Sequence, residues 1–215
     1  MLEVGAWPRS WSEVVAFCSA VDGVFPILGI HPHDAGEADA SELERLRELA
    51  PVAIGETGLD YYRDYAPHHA QRQLFQAQLA IAEELGKAVV IHCRAAEVDV
   101  ARALTDFEGT VVLHCFSSPP LLEPALDRGY YVSFAGNVSY PNADELRAAA
   151  RAVTSDRILA ETDSPYLSPQ PRRGRPNEPA NVVHTVAALA DARGEDRDEL
   201  GARIDDNATR AFSLG

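Results

Sequence analysis

Val89-Val90-Ile91-His92-Cys93 and Val111-Val112-Leu113-His114-Cys115 are two copies of one pattern, an apolar run closed by histidine, set 22 residues apart. Runs that short and that apolar suit parallel strands buried on both faces. The spacing between them is that of one βα unit. Working outward, Val24–Gly29, Val52–Gly55, Tyr130–Phe134 and Ile158–Ala160 read as further strands, and Leu2–Val4 as a weaker one. Helical signals fill the intervals. Ser41-Glu-Leu-Glu44 reads as a capping box, His68 to Leu85 as an amphipathic helix stopped by Gly86, and Asn142–Glu145 and Asp196–Glu199 as helix starts. A last helix from about Ala180 ends before Gly194. Strand and helix alternate throughout, which predicts an α/β, TIM-barrel-like fold with about seven β/α units visible, one short of eight. No linker or low-complexity tract interrupts the 215 residues, so residues 1–215 are expected to form a single domain.

Composition narrows the function. The apolar share of 46% and charged share of 24% are those of a folded globular chain. No apolar run reaches the ~20 residues of a membrane span, and no signal peptide is visible, so a cytoplasmic location is expected. Three cysteines without metal-type spacing argue against a disulfide framework. A net charge of −14, with Lys87 the only lysine, excludes a broad basic nucleic-acid grip. A phosphate-bearing substrate would need metal ions and local arginines.

The chemistry lies at the ends of the apolar runs. Glu56, His92, His114 and Asp163 each follow such a run directly or within three residues. In a parallel barrel all strand C-termini open on one face, so four runs would deliver two carboxylates and two imidazoles to one mouth. Those ligands suit a divalent cation, Mg, Mn or Zn, with one or two per chain. Asp163 is the candidate for both ligand and general base toward a metal-activated water. Strand alternation sends Cys93 and Cys115 to the opposite face from the histidines, where they read as small buried hydrophobes. Pro171–Pro176, with Arg172, Arg173 and Arg175, is the only basic cluster in the sequence; it reads equally as a clamp on a DNA backbone, with Arg175 binding substrate, and as a solvated loop. Tyr61, Tyr62 and Tyr65 read as packing over the mouth, with base stacking the alternative, and Trp7 and Trp11 as packing of the first helix. His33, His68, His69 and His184 read as loop, helix-start or surface residues.

Gly29-Ile-His-Pro-His33, Ile54-Gly-Glu-Thr-Gly-Leu-Asp60, Ile91-His-Cys-Arg94, Leu113-His-Cys-Phe-Ser117 and Glu161-Thr-Asp-Ser-Pro-Tyr-Leu167, taken in order, resemble the successive signatures of the TatD family of metal-dependent deoxyribonucleases. Asn177–Asn181 and Asn207–Phe212 fit the same pattern. The resemblance implies an amidohydrolase-like barrel that hydrolyses DNA phosphodiesters, Mg²⁺-dependent and exonucleolytic. It implies Glu56 bridging two metal positions, His92 and His114 completing one, Asp163 serving the other, and His31 touching the scissile phosphate. Arg94 would reach a phosphate or form a structural ion pair. The family opens with a His-x-His strand, whereas no histidine precedes His31 here. Leu2–Val4 would correspond to the family's second strand, and the Asp163 site would be depleted. A misplaced start, a seven-unit barrel and a partner chain covering the gap would each account for this, the last making an oligomer. Two alternatives stand beside the nuclease: a small-molecule amidohydrolase or deacylase, and a metal-binding non-catalytic barrel.

Overall fold

A computed structural model describes residues 1–49 and 51–214. The chain divides into two compact units, Met1–Val112 and the residues from Leu113 onward.

In the first unit, β1 (Leu2–Gly5), β2 (Phe25–Leu28), β3 (Ala53–Asp60) and β4 (Ala88–Arg94) alternate with α1 (Trp11–Ala20), α2 (Ala40–Leu49) and α3 (His68–Leu85). The strands pair in parallel in chain order, with Gly5 opposite Leu28, Ile54 opposite Val89 and Asp60 opposite Arg94. Following β4 come α4 (Glu97–Ala103) and β5 (Val111–Leu113), whose approach is set by Val89 N donating to Thr110 O at 2.9 Å. The core is built from Leu28, Ile54, Leu59, Phe75, Ile81 and Ile91. Trp11 is fully buried and its indole donates to the carbonyls of Gly5 and Gly29 at 2.9 and 3.2 Å, tying α1 to two strand ends.

In the second unit, α5 (Leu122–Asp127), β6 (Tyr131–Phe134), α6 (Asp144–Ala152), β7 (Ile158–Ala160), α7 (Val182–Arg193) and α8 (Arg197–Phe212) follow one another. Strands β6 and β7 are parallel, Val132 opposite Ile158. Phe116 N donates to Ser133 O at 2.8 Å, so the segment leaving β5 runs beside β6. Asn207 on α8 donates to the Ser155 and Ile158 carbonyls at the entrance of β7.

The expected elements stand, with three corrections. Val52–Gly55 is only the opening of β3, which runs on to Asp60, so Glu56 lies inside the strand, where the pairing with β4 shifts register between Ile54 and Thr57. Such an irregularity re-aims a side chain. His92 likewise lies inside β4 rather than beyond it. The box that opens α2 is Asp39 with Glu42: the Asp39 carboxylate accepts from the Ser41 and Glu42 amides, and Glu42 accepts from Asp39 N. Ser41 is inside the helix. No helix among the described residues is long and apolar enough to cross a membrane.

Two buried glutamines on α3, one heptad apart, hold the loops that carry the chemistry. Gln78 accepts from Ile30 N at 2.8 Å and donates to Ile30 O at 2.9 Å and to Thr57 Oγ1 at 2.7 Å. Gln71 accepts from Asp60 N at 2.9 Å and donates to Asp60 O and Ala66 O, both at 3.0 Å. Gly58 completes the β3 geometry: its φ is +135°, and a Cβ there would sit 2.1 Å from the His92 carbonyl oxygen.

Replacing a side chain that pairs buried backbone groups strands those groups at ~1–3 kcal/mol each. Gln78→Leu is therefore expected to lower stability by about 3 kcal/mol, seen as a reduced urea midpoint at unchanged m-value. An unaltered midpoint would refute the clamp.

Candidate metal centre

The first unit gathers His31, Glu56 and His92, each offering a ligand atom within 4.8 Å of the others. Glu56 is the one half-buried position of β3 among buried neighbours. Its Oε1 lies 2.7 Å from His92 Nδ1 and 3.8 Å from His31 Nε2. Behind His92, Asp60 Oδ2 lies 3.1 Å from Nε2, and the same oxygen lies 2.9 Å from His33 Nε2. Asp60 Oδ1 accepts from the Tyr62 and Arg63 amides at 2.9 Å. With its backbone on Gln71 and 1% exposure, this carboxylate has no freedom to move. Burial works to raise the Asp60 carboxyl, but hydrogen bonds from His92, the Arg63 amide and His33 overcome it and hold it well below the ordinary carboxylate range.

His31 differs from His92 in what its nitrogens can do. Burial pushes its imidazole down to about 3, with His92 and His33 adding to the fall against Glu56. It is therefore neutral at working pH, with one N–H and one lone pair. His33 N donates to Nδ1 at 3.2 Å, which uses the lone pair and leaves the hydrogen on Nε2. That nitrogen is a donor aimed at the Glu56 side of the site. His92 has the reverse arrangement: Asp60 holds Nε2, and Nδ1 faces Glu56. A carboxylate on the far nitrogen is the usual support of a metal-ligating histidine.

The second unit gathers His114, Cys115 and Asp163, again within 4.8 Å of one another. His114 Nδ1 lies 2.8 Å from Glu161 Oε1, while Nε2 lies 3.9 Å from Asp163 Oδ1. Here too a carboxylate stands behind the imidazole and another in front. The backbone is left-handed at Cys115 (φ 45°) and at Asp163 (φ 57°). Non-glycine residues in that region carry strain and concentrate at functional sites. Asn177, 6% exposed, holds the Asp163 turn by donating to Thr162 O and Tyr166 O, both at 2.8 Å. Asn181 in turn donates to Asn177 Oδ1 at 2.9 Å. These two asparagines give the Asn177–Asn181 segment its physical task. The expected placement of Cys115 on the face opposite His114 is corrected: β5 ends at Leu113, so strand alternation no longer applies.

Both sets combine imidazole with carboxylate, donors that fit a divalent cation. Of the other sequence candidates, Arg94 is exposed and stacks on the Tyr62 ring at 3.9 Å, a cation–π contact rather than an ion pair. Arg175 is exposed in its loop, and its carbonyl accepts from Ser168 Oγ at 2.5 Å. Arg173 stacks on Tyr140 at 4.0 Å. Tyr61 packs, stacking on His68 at 3.8 Å, whereas Tyr62 and Tyr65 stay exposed. Trp11 packs as expected, and Trp7 is 42% exposed. The supporting roles of Asp60, His33 and Glu161 emerge only from the structure. The sequence signal for the two carboxylates was their place, four residues after Glu56 and two before Asp163.

The chain matches the TatD-related DNase family over residues 1–213. It is 41% identical over 203 residues to the uncharacterized metal-dependent hydrolase YcfH of Escherichia coli K12, covering 90% of this chain and 75% of that protein. It is 39% identical over 206 residues to the 3'-5' ssDNA/RNA exonuclease TatD of Pectobacterium atrosepticum, covering 90% and 79%. Among solved structures, the TatD homologue YJJV of E. coli K12 superposes with a TM-score of 0.93 at 26% identity, over all of this chain and 86% of that one. The α/β, TIM-barrel-like class expected from the strand and helix pattern is the class of these relatives. The chain belongs to the TatD-related DNase family, a family of metal-dependent hydrolases.

Proposed function

We propose that this protein is a deoxyribonuclease that hydrolyses DNA phosphodiester bonds, with Glu56, His92, His114 and Asp163 as ligands of one or two divalent cations (Mg, Mn or Zn). We further read residues 1–215 as one TatD-like hydrolase domain, acting in the cytoplasm. The observation that carries the reading is the repeated arrangement of a carboxylate behind an imidazole and another in front of it. Asp60 and Glu56 flank His92 at 3.1 and 2.7 Å, and Glu161 and Asp163 flank His114 at 2.8 and 3.9 Å. The Asp60 hydrogen bond behind His92 fixes that ring's tautomer and raises the basicity of its other nitrogen, and Glu161 stands within ion-pair distance behind His114.

A bound divalent ion supplies Lewis-acid polarisation of a phosphoryl oxygen and a more acidic water. The side chains have the remaining tasks. Asp163, held by Asn177 through its turn, takes the proton of the attacking water as general base. His31, neutral and with its hydrogen on Nε2, donates to a phosphoryl oxygen without adding to the charge of the site. Arg94 and Arg175, both exposed, would supply guanidinium groups to substrate phosphates. The exposed Tyr62 and Tyr65 rings offer faces on which bases can stack. With a chain charge of −14, capture of DNA rests on these local groups and the cation.

Purified protein with Mg²⁺, Mn²⁺ or Zn²⁺ is expected to release fragments from labelled single-stranded DNA, and a chelator to stop it. His114→Ala is expected to lower that rate by at least about a hundredfold, the scale seen when a principal stabilising group is removed. Fragments that persist at the same rate in His114→Ala, or in excess chelator, would overturn the reading.

Asp60→Asn tests the support behind His92. Metal affinity by calorimetry is expected to fall about 10–100-fold. The same change alters acid stability in the metal-free protein. The Asp60 carboxyl is held below its unfolded value of ~3.9, so it contributes stability that is present above that pH and is lost as pH falls through the lower folded value. In Asp60→Asn the stability curve below about pH 4 is expected to be flatter than in the parent protein. Parallel acid limbs would contradict the assignment.

A further inference from the structure

We propose that the cleft between α6 and α7 in the second unit, with Arg173 at its rim, binds one unpaired nucleotide, its phosphate toward Arg173 and its base toward Arg151 and Asp191. The inference takes the class of ligand from the nuclease reading and adds a binding place built from none of the proposed metal ligands.

The cleft has a volume of about 550 Å³, within the ~300–1,000 Å³ of small-molecule sites. Its floor is the face of α7 that carries Ala187, Ala188 and Ala192, whose methyl groups leave open the room a longer side chain would fill. Its two ends differ. Arg193 on α7 donates to the Ala150 and Val153 carbonyls, so the C-terminal ends of α6 and α7 lie together and bring Arg151 and Asp191 to one end of the cleft. His184, one heptad before Asp191 and so roughly 10 Å away along the helix axis, stands at the other end. Arg147, one turn before Arg151, fixes that end by donating to the Val138 and Tyr140 carbonyls at 3.1 and 2.7 Å. Gln170 is held there as well, its amide donating to Ser139 Oγ at 2.9 Å. Arg173 follows on the same loop and stands over the Tyr140 ring at 4.0 Å. Stacking uses the face of a guanidinium and leaves its N–H edge for a phosphate.

The two ends suit the two ends of a nucleotide. A phosphate takes donors only, and Arg173, the Gln170 carboxamide and a His184 ring N–H supply them. Asp191 repels an anion, which places the phosphate at the end away from it. A base edge presents donors and acceptors side by side, and the Asp191 carboxylate with the Arg151 guanidinium answers both. Reading that edge requires the base to be unpaired. The side chains of Arg151, His184 and Asp191 have no hydrogen-bond or ion-pair partner among the described residues, so all three are available to a ligand.

The test measures binding of a labelled single-stranded deoxyoligonucleotide to the full chain by fluorescence anisotropy in chelator, where no strand is cut. Arg173→Ala, which trims an exposed side chain, is expected to weaken binding at least about fivefold and to reduce the slope of log K against log salt by about 0.7, the value of one phosphate contact on a single strand. Ala188→Leu, which fills the cleft, is expected to weaken binding likewise at an unchanged urea midpoint. Deoxyguanosine monophosphate that competes with the oligonucleotide on wild type assigns the cleft to free nucleotides as well, and absence of competition assigns it to a strand. A loss confined to Arg173→Ala leaves a phosphate contact and overturns the base in the cleft. Affinity and salt slope unchanged in both variants overturn the whole proposal. Neither variant touches a proposed metal ligand, so the nuclease reading then still stands or falls by the His114→Ala cleavage assay.

Discussion

A buried backbone amide or carbonyl without a partner costs as much as the whole benefit of several good contacts, and the strand ends of this protein bury many. Side-chain carboxamides resolve that problem. Gln78 takes both backbone groups of Ile30, Gln71 takes both of Asp60, and Asn177 takes the carbonyls of Thr162 and Tyr166. Each lies next to a residue that carries chemistry: His31 after Ile30, Asp60 itself, and Asp163 after Thr162. Fixing these segments from below leaves their side chains available to face a ligand. A site must be held within a fraction of an ångström to work, and rigid support is what achieves it.

The same logic continues in the side chains. An imidazole has two nitrogens and can spend one on support. Asp60 behind His92 and Glu161 behind His114 make that division, and the His33 amide makes the opposite division at His31. On the proposed reading, the three histidines serve two tasks, two as lone-pair donors and one as a hydrogen-bond donor, set by the partner on the far nitrogen. Asp60 is central to this order, since its carboxylate oxygens reach His33, His92 and the backbone amides of Tyr62 and Arg63.

Much of the architecture was legible in the sequence. Strands β5 and β7 begin and end where their apolar runs do, and α3 spans His68 to Leu85 with Gly86 closing it in the left-handed conformation. Residue type and spacing suffice there because burial and helix termination are local properties. Residue chemistry marks Glu56 in the sequence, and its apolar run puts it at a strand end. It lies at an irregularity in the middle of β3, and a register shift is decided by the neighbouring strand, not by the run itself. Strand alternation would send Cys115 to the far face, but this residue stands two positions beyond the end of β5, where alternation no longer holds.

The amino-acid sequence by itself determined the elements, their alternating order and the imidazoles and carboxylates that close the apolar runs, because hydrophobic periodicity and residue chemistry are written along the chain. Only the tertiary structure decided which nitrogen of each histidine is spent on support, that Asp60 and Glu161 stand behind the rings, and that Cys115 turns toward His114 and Asp163. Those outcomes depend on backbone dihedrals at single residues and on contacts between strands far apart in sequence, and neither has a local signature.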